Sequence, residues 1–141
     1  MSKLNRSEAF ARYGAKLRNT YSSCSAWGPD GSLVVSMWDH HYRKGPGNSA
    51  EYLDSLDRWK GPGNTELRKN IALAVDQKSS IRLIVSRTDK PALIQAGGDA
   101  SKANKEFFVR DEMVGEVAEF DGTNYLLRFH MLTPRVRPKS R

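Results

Sequence analysis

Lys44-Gly45-Pro46-Gly47-Asn48 and Lys60-Gly61-Pro62-Gly63-Asn64 are one phrase written twice, sixteen residues apart. The segment between the copies, residues 49–59, decides how the middle of the fold is read. Asn48 can cap a helix there, and Glu51 follows at capping-box spacing. Tyr52, Leu53, Leu56 and Trp59 then supply an apolar side, with Arg58 and Lys60 near the helix end. The second copy runs into another helical pattern, started by Asn64 or Thr65, with Leu67, Ile71, Ala74 and Val75 as its stripe. Arg68, Lys69 and Lys78 remain available to solvent or a ligand. Both copies therefore read as helix starts.

Upstream, residues 7–18 also read as a helix. Ser7 can cap it, and Phe10, Tyr13, Gly14 and Leu17 fall on one side. Trp27-Gly28-Pro29-Asp30-Gly31 is a turn signal, and Ser32 to Tyr42 alternates like a strand, with residues 21–27 as its antiparallel partner. Leu33, Val35 and Met37 face one way; Val34, Ser36, Trp38 and His40 face the other.

Downstream, Ile81-Arg82-Leu83-Ile84-Val85 is a strand, and its place after a helix suggests a crossover or a helix laid over a sheet. Residues 88–105 are the least regular, read as a loop or a short helix after Ser101. Glu106 to Phe120 returns to strand character with a break near Asp111-Glu112, and Asp121-Gly122 is a hairpin turn leading to Tyr125, Leu127 and Phe129. Pro134 ends the pattern. The resulting class is α+β: a curved, mainly antiparallel sheet or partly open barrel with an N-terminal helix and two central helices. Residues 1–134 form one compact domain in this reading, and 135–141 a flexible basic tail.

The formal charge is +7, but Arg135, Arg137, Lys139 and Arg141 hold four of those charges, leaving +3 on the other 134 residues. Such a tail attracts nucleic acid or an acidic protein through salt-sensitive contacts. Cys24 is the single cysteine, which rules out an internal disulfide framework and fits a cytoplasmic protein. No apolar run is long enough to span a bilayer, and no apolar core of a signal peptide opens the chain, so neither membrane insertion nor secretion is expected.

A lysine, a glycine turn and the N–H groups of a helix start make a plausible phosphate seat. Lys44, Gly45, Gly47 and Asn48, and Lys60, Gly61, Gly63, Asn64 and Arg68, are the candidates for phosphate contact. The competing reading is two well-made turns. Neither copy has Walker spacing or belongs to a GxGxxG fingerprint, and no cofactor is expected. Each Gly-Pro-Gly core is similar to the glycine turn of a helix–hairpin–helix DNA-binding element, but Pro46 and Pro62 stand where that element has a packed apolar residue.

Trp38-Asp39-His40-His41-Tyr42 is the densest chemical cluster. Trp38, Tyr42, Tyr52 and Trp59 offer stacking surfaces for a flipped or single-stranded base, with His40 among the polar edges. Arg43, Lys44, Arg58 and Lys60 can neutralise nearby phosphates, and Arg82, Arg87, Lys90, Lys102 and Lys105 form a second basic set. Large aromatic side chains equally suit the core of so small a domain. Adjacent histidines on a strand point to opposite faces, so no metal site is favoured; Asp39, His40 and His130 would form one only if the strand of His130 lay beside residues 38–42. Glu51, Asp54 and Asp57 read as helix-surface acids. The leading expectation is a non-enzymatic nucleic-acid-binding domain, DNA favoured narrowly over RNA. The alternatives are a protein-interaction or inhibitor module docking by its basic tail, and a small metal-dependent nuclease.

Overall fold

The computed structural model describes residues 4–20, 22–98 and 102–132. Its strands are β1 (Ser25–Trp27), β2 (Leu33–Trp38), β3 (Tyr42–Lys44), β4 (Ala50–Ser55), β5 (Ile81–Thr88), β6 (Lys105–Val109), β7 (Met113–Phe120) and β8 (Asn124–Met131). Its helices are α1 (Arg6–Ala11), α2 (Pro62–Gln77) and α3 (Pro91–Gln95). All eight strands join one sheet in the order β1-β2-β5-β7-β8-β4-β3, with β6 beside β5. The β2–β5 pair is parallel and the others are antiparallel. β1 and β3 lie at the two ends of this order, so the sheet stays open and does not close into a barrel. The fold is α+β with a mainly antiparallel sheet. No helix among the described residues is long and apolar enough to cross a membrane.

β2 and β5 are covered on both faces, which explains the apolar run at 81–85. Leu33, Val35, Met37, Leu83 and Val85 pack with Leu67, Ile71 and Ala74 of α2. Val34 and Ile84 pack on the other side with Phe10 and Leu17. Leu67 and Ile71 are almost wholly buried, and each such side chain contributes about 1.5–3 kcal/mol. Asn70 ties α2 to β1, donating to Ser25 Oγ at 2.9 Å and accepting from Trp27 Nε1 at 3.1 Å.

β6 and β7 are two parts of one bent course. β6 pairs with residues 84–88 of β5, whereas β7 meets β5 at Ile81↔Gly115 and then pairs with β8. The break falls at residues 110–112, where the sequence pattern places it, and the Arg110 N–H donates to Leu83 O at 3.1 Å. The hairpin at Asp121-Gly122 forms, and Tyr125, Leu127 and Phe129 share the buried face of β8.

The largest correction is at residues 49–59. Ala50–Ser55 is a strand, hydrogen-bonded between β3 and β8. Ala50 and Tyr52 are buried on one face, while Glu51 on the other meets Arg43 and Arg128 directly across the neighbouring strands. A short run whose apolar residues fit a helical stripe also contains a period of two, and pairing on both sides selected the strand. Asn48 therefore caps no helix, and Glu51 serves no capping box. With no helix before the second Gly-Pro-Gly core either, the helix–hairpin–helix likeness is not realised.

Other boundaries shift for local reasons. α1 is capped by Asn5 rather than Ser7, in a capping box with Glu8: Glu8 N donates to Asn5 Oδ1 at 2.8 Å, and Asn5 N to Glu8 Oε1 at 2.9 Å. It stops well before residue 18 because Gly14, at φ +74°, reverses the chain, with Gly14 N bonding Ala11 O and Ala15 N bonding Phe10 O. The strand expected over 32–42 is interrupted by a 3-10 turn at Asp39–His41. α2 starts at Pro62, ahead of the expected Asn64. The irregular stretch holds α3 at Pro91–Gln95; of the short helix expected after Ser101, residue 101 itself lies outside the described residues.

Candidate functional site

Trp38 and Ser86 stand opposite each other toward the C-terminal ends of the parallel pair β2–β5. Both line a cavity of about 730 Å³. The connection from β4 to α2 supplies Arg58, Trp59 and Lys60, β4 itself Asp54, and the α2 start Gly61, Pro62 and Gly63. Ser22 and Cys24 come from the segment before β1, Lys105 and Phe107 from β6, and Arg6 from α1.

The repeated phrase builds this wall at its second copy. Gly61 takes φ +127°, a conformation open to glycine, and Pro62 follows at the first helical position. A Cβ on Gly63 would lie 2.0 Å from Ser22 O, so glycine lets α2 press against the segment carrying Ser22. Asn64 is buried, and its Nδ2 donates to Leu56 O at 2.8 Å and Trp59 O at 2.9 Å. It braces the turn that presents Trp59. Asn64 N and Thr65 N both return to Gly61 O, while Gly63 N takes no acceptor among the described residues.

The first copy is a different object. It closes the β3–β4 hairpin, with Gly45 N donating to Ser49 O at 3.0 Å and Ser49 Oγ to Pro46 O at 2.6 Å. Lys44 Nζ donates to Gly47 O at 2.7 Å inside the same loop. Lys44, Gly45, Gly47 and Asn48 form a self-contained turn away from the cavity lining.

The cavity lining carries four cationic side chains, Arg6, Arg58, Lys60 and Lys105, against one carboxylate, Asp54. Arg58 is already matched: its Nε and Nη2 each donate to Asp54 at 2.7 Å, and Nη1 donates to Ile94 O. The two side chains are only 9 % and 6 % exposed, so this is a buried ion pair holding the wall in shape. His41 joins from behind, with Nδ1 3.7 Å from Asp54 Oδ2 and Nε2 2.7 Å from Gln95 Oε1. Lys60 is exposed at the rim. Burial pushes the Cys24 thiol up to about 12, which keeps it protonated and unsuited to nucleophilic work.

The structure divides the sequence candidates. Trp38, Trp59, Lys60, Gly61 and Gly63 meet at the cavity. Tyr52 is buried in the core at 4 % exposure and packs on Phe129. Tyr42 lies exposed on β3 against Tyr52. His40 stacks beside Trp38 with ring centroids 6.1 Å apart, outside the cavity lining. Arg68 points to the far hairpin, donating to Gly122 O and approaching Asp57 at 3.5 Å.

Asp39 is paired with Arg87 at 3.6 Å. His130 stands opposite Val114 in β8, whose neighbours are β7 and β4, so strand pairing does not place it beside residues 38–42. No group of three or more His, Cys, Asp or Glu suited to a metal occurs among the described residues. Arg135, Arg137, Lys139 and Arg141 lie outside the described residues.

The buried Asp54–Arg58 pair is hidden in the sequence, because its four-residue spacing equally suits the surface of the expected helix. Ser22, Ser36 and Ser86 carry no motif at all; only strand register brings Ser36 and Ser86 into side-chain contact at the cavity wall. No family model matches this chain, and comparison with curated proteins and with solved structures returns no match.

Proposed function

We propose that this protein is a nucleic-acid-binding domain that works through the cavity beside the α2 start. The observation that carries the reading is the meeting of Trp38 and Trp59 with Lys60 and the glycine-rich first turn of a sixteen-residue helix. Aromatic faces suit exposed bases, while a lysine and the positive end of a helix suit a backbone phosphate. The volume lies within the range of pockets that hold small organic groups, about 300–1,000 Å³. Asp54 is matched by Arg58, so the one carboxylate of the lining does not oppose a phosphate near Lys60.

The test compares single-stranded DNA, duplex DNA and RNA by intrinsic tryptophan fluorescence, using the full chain. Lys60→Ala is expected to weaken binding by about tenfold, the scale of one charge-assisted hydrogen bond of about 1.5 kcal/mol. Lys44→Ala, in the self-bonded hairpin, is expected to leave it within about twofold. Equal effects of the two changes, or no effect of either, would overturn the cavity as the site. Binding indifferent to salt would argue against a nucleic-acid ligand altogether.

A further inference from the structure

Two polar atoms at the cavity wall lack partners among the described residues. Trp59 Nε1 and Ser22 Oγ are both covered from solvent, and neither makes a hydrogen bond. Both residues line the cavity, Ser22 from the segment that Gly63 lets α2 approach and Trp59 from the turn just before α2. A covered indole N–H without an acceptor is costly, and most such groups in folded proteins are satisfied. The neighbouring polar groups are engaged elsewhere: Asn64 Nδ2 holds Leu56 O and Trp59 O, Asp54 holds Arg58, and Ser36 holds Ser86. Trp59 Nε1 and Ser22 Oγ thus belong to two residues of the wall where the proposed ligand would lie.

Resting on the nucleic-acid reading above, we infer that the cavity takes one unstacked nucleobase, whose polar edge is read by Trp59 Nε1 and Ser22 Oγ. The indole N–H only donates, so the edge it meets carries an acceptor, a carbonyl oxygen or a ring nitrogen; the serine hydroxyl can donate or accept. The base enters with its edge toward these two atoms, and its phosphate stays at Lys60 and the Gly63 N–H. Trp59 is the specificity-determining residue in this arrangement. Lys60 supplies affinity that is independent of the base. An unstacked base is available in a single strand without the cost of breaking a pair.

The test uses a ten-nucleotide random-sequence single strand and a ten-nucleotide abasic strand of the same sugar, DNA or RNA, whichever the protein binds more tightly. The full chain and its Trp59→Phe, Ser22→Ala and Lys60→Ala variants are titrated by fluorescence anisotropy of the labelled strand. Trp59→Phe keeps an aromatic ring and removes the N–H, and Ser22→Ala provides a second removal should the first disturb folding. Each is expected to weaken binding of the base-bearing strand by about three- to tenfold, the scale of one lost hydrogen bond, with the abasic strand unchanged. Lys60→Ala should weaken both strands alike. If Trp59→Phe and Ser22→Ala bind both strands as the unaltered chain does while Lys60→Ala weakens both, base reading is overturned and nucleic-acid binding stands. If none of the three changes matters for either strand, the cavity reading falls and the inference with it.

Discussion

Glu51 sits between two arginines on the face of β4 opposite the core. Arg43 Nε donates to its Oε1 at 2.8 Å, and Arg128 Nε and Nη2 reach Oε2 at 2.8 and 2.7 Å. The glutamate side chain is 3 % exposed. The strand register places Arg43, Glu51, Arg128 and Glu116 in one row across β3, β4, β8 and β7, with charge alternating at each step. Cross-strand pairs of opposite charge support a register, and a one-residue slip would break this row. The hydrogen bonds from Arg43, then those from Arg128, hold the Glu51 carboxyl below its ordinary value, against a smaller opposing effect of burial. A depressed folded-state pKa means stabilisation that is complete above the unfolded pKa, about 4.3, and lost as pH falls through the folded value. Glu51→Gln should therefore melt below the unaltered chain at pH 7, with the gap narrowing as pH drops beneath about 4. Melting curves from pH 3 to 7 check this; a gap of constant size would show that the charge is not what stabilises the row.

At the scale of elements, one pentapeptide adopts two structures, and the residues after each copy separate them. After Asn48 come Ser49 and the strand β4, held by β3 and β8; after Asn64 come Thr65 and a run with Leu67, Ile71 and Ala74 on one buried face. The two asparagines diverge accordingly. Asn64→Ala leaves the Leu56 and Trp59 carbonyls without their shared donor, at a cost of about 1–3 kcal/mol. It should also loosen the turn carrying Trp59 and weaken oligonucleotide binding. Asn48→Ala, at an exposed position, should stay within about 0.5 kcal/mol. Chemical denaturation of both variants measures the contrast, and equal losses would contradict it. The β1–β2 hairpin, β5, the break before β7 and the β7–β8 turn are legible in the sequence because their alternation and turn residues agree. Residues 49–59 are not, because Tyr52, Leu53, Leu56 and Trp59 fit a helical stripe while the pairing that makes β4 a strand comes from β8, some seventy residues later. The candidate site divides in the same way: Trp38, Trp59 and Lys60 are visible as residue types, whereas Ser22 and Ser86 reach the cavity through tertiary placement alone.

Across the whole molecule, the net charge is divided between residues 135–141 and the rest of the chain, and under the proposed function the two would contribute separately to binding a polyanion. The four basic residues at 135–141 account for more than half of the net +7. Tail cations can neutralise phosphates in any sequence context, so their contribution is salt-dependent and blind to bases. In the proposed function the cavity would add aromatic and polar contacts that salt screens far less. Changing Arg135, Arg137, Lys139 and Arg141 to serine in the full chain should flatten the slope of log K against log salt by at most about 3, given about 0.7 per single-strand phosphate contact. The preference for a base-bearing strand over an abasic one should survive, since Trp38, Trp59 and Ser22 are untouched. Loss of all binding at low salt in this variant, with Lys60→Ala adding nothing, would place the interaction in the tail and remove the cavity from it. A retained preference with a flattened slope would assign attraction to the tail and recognition to the folded body.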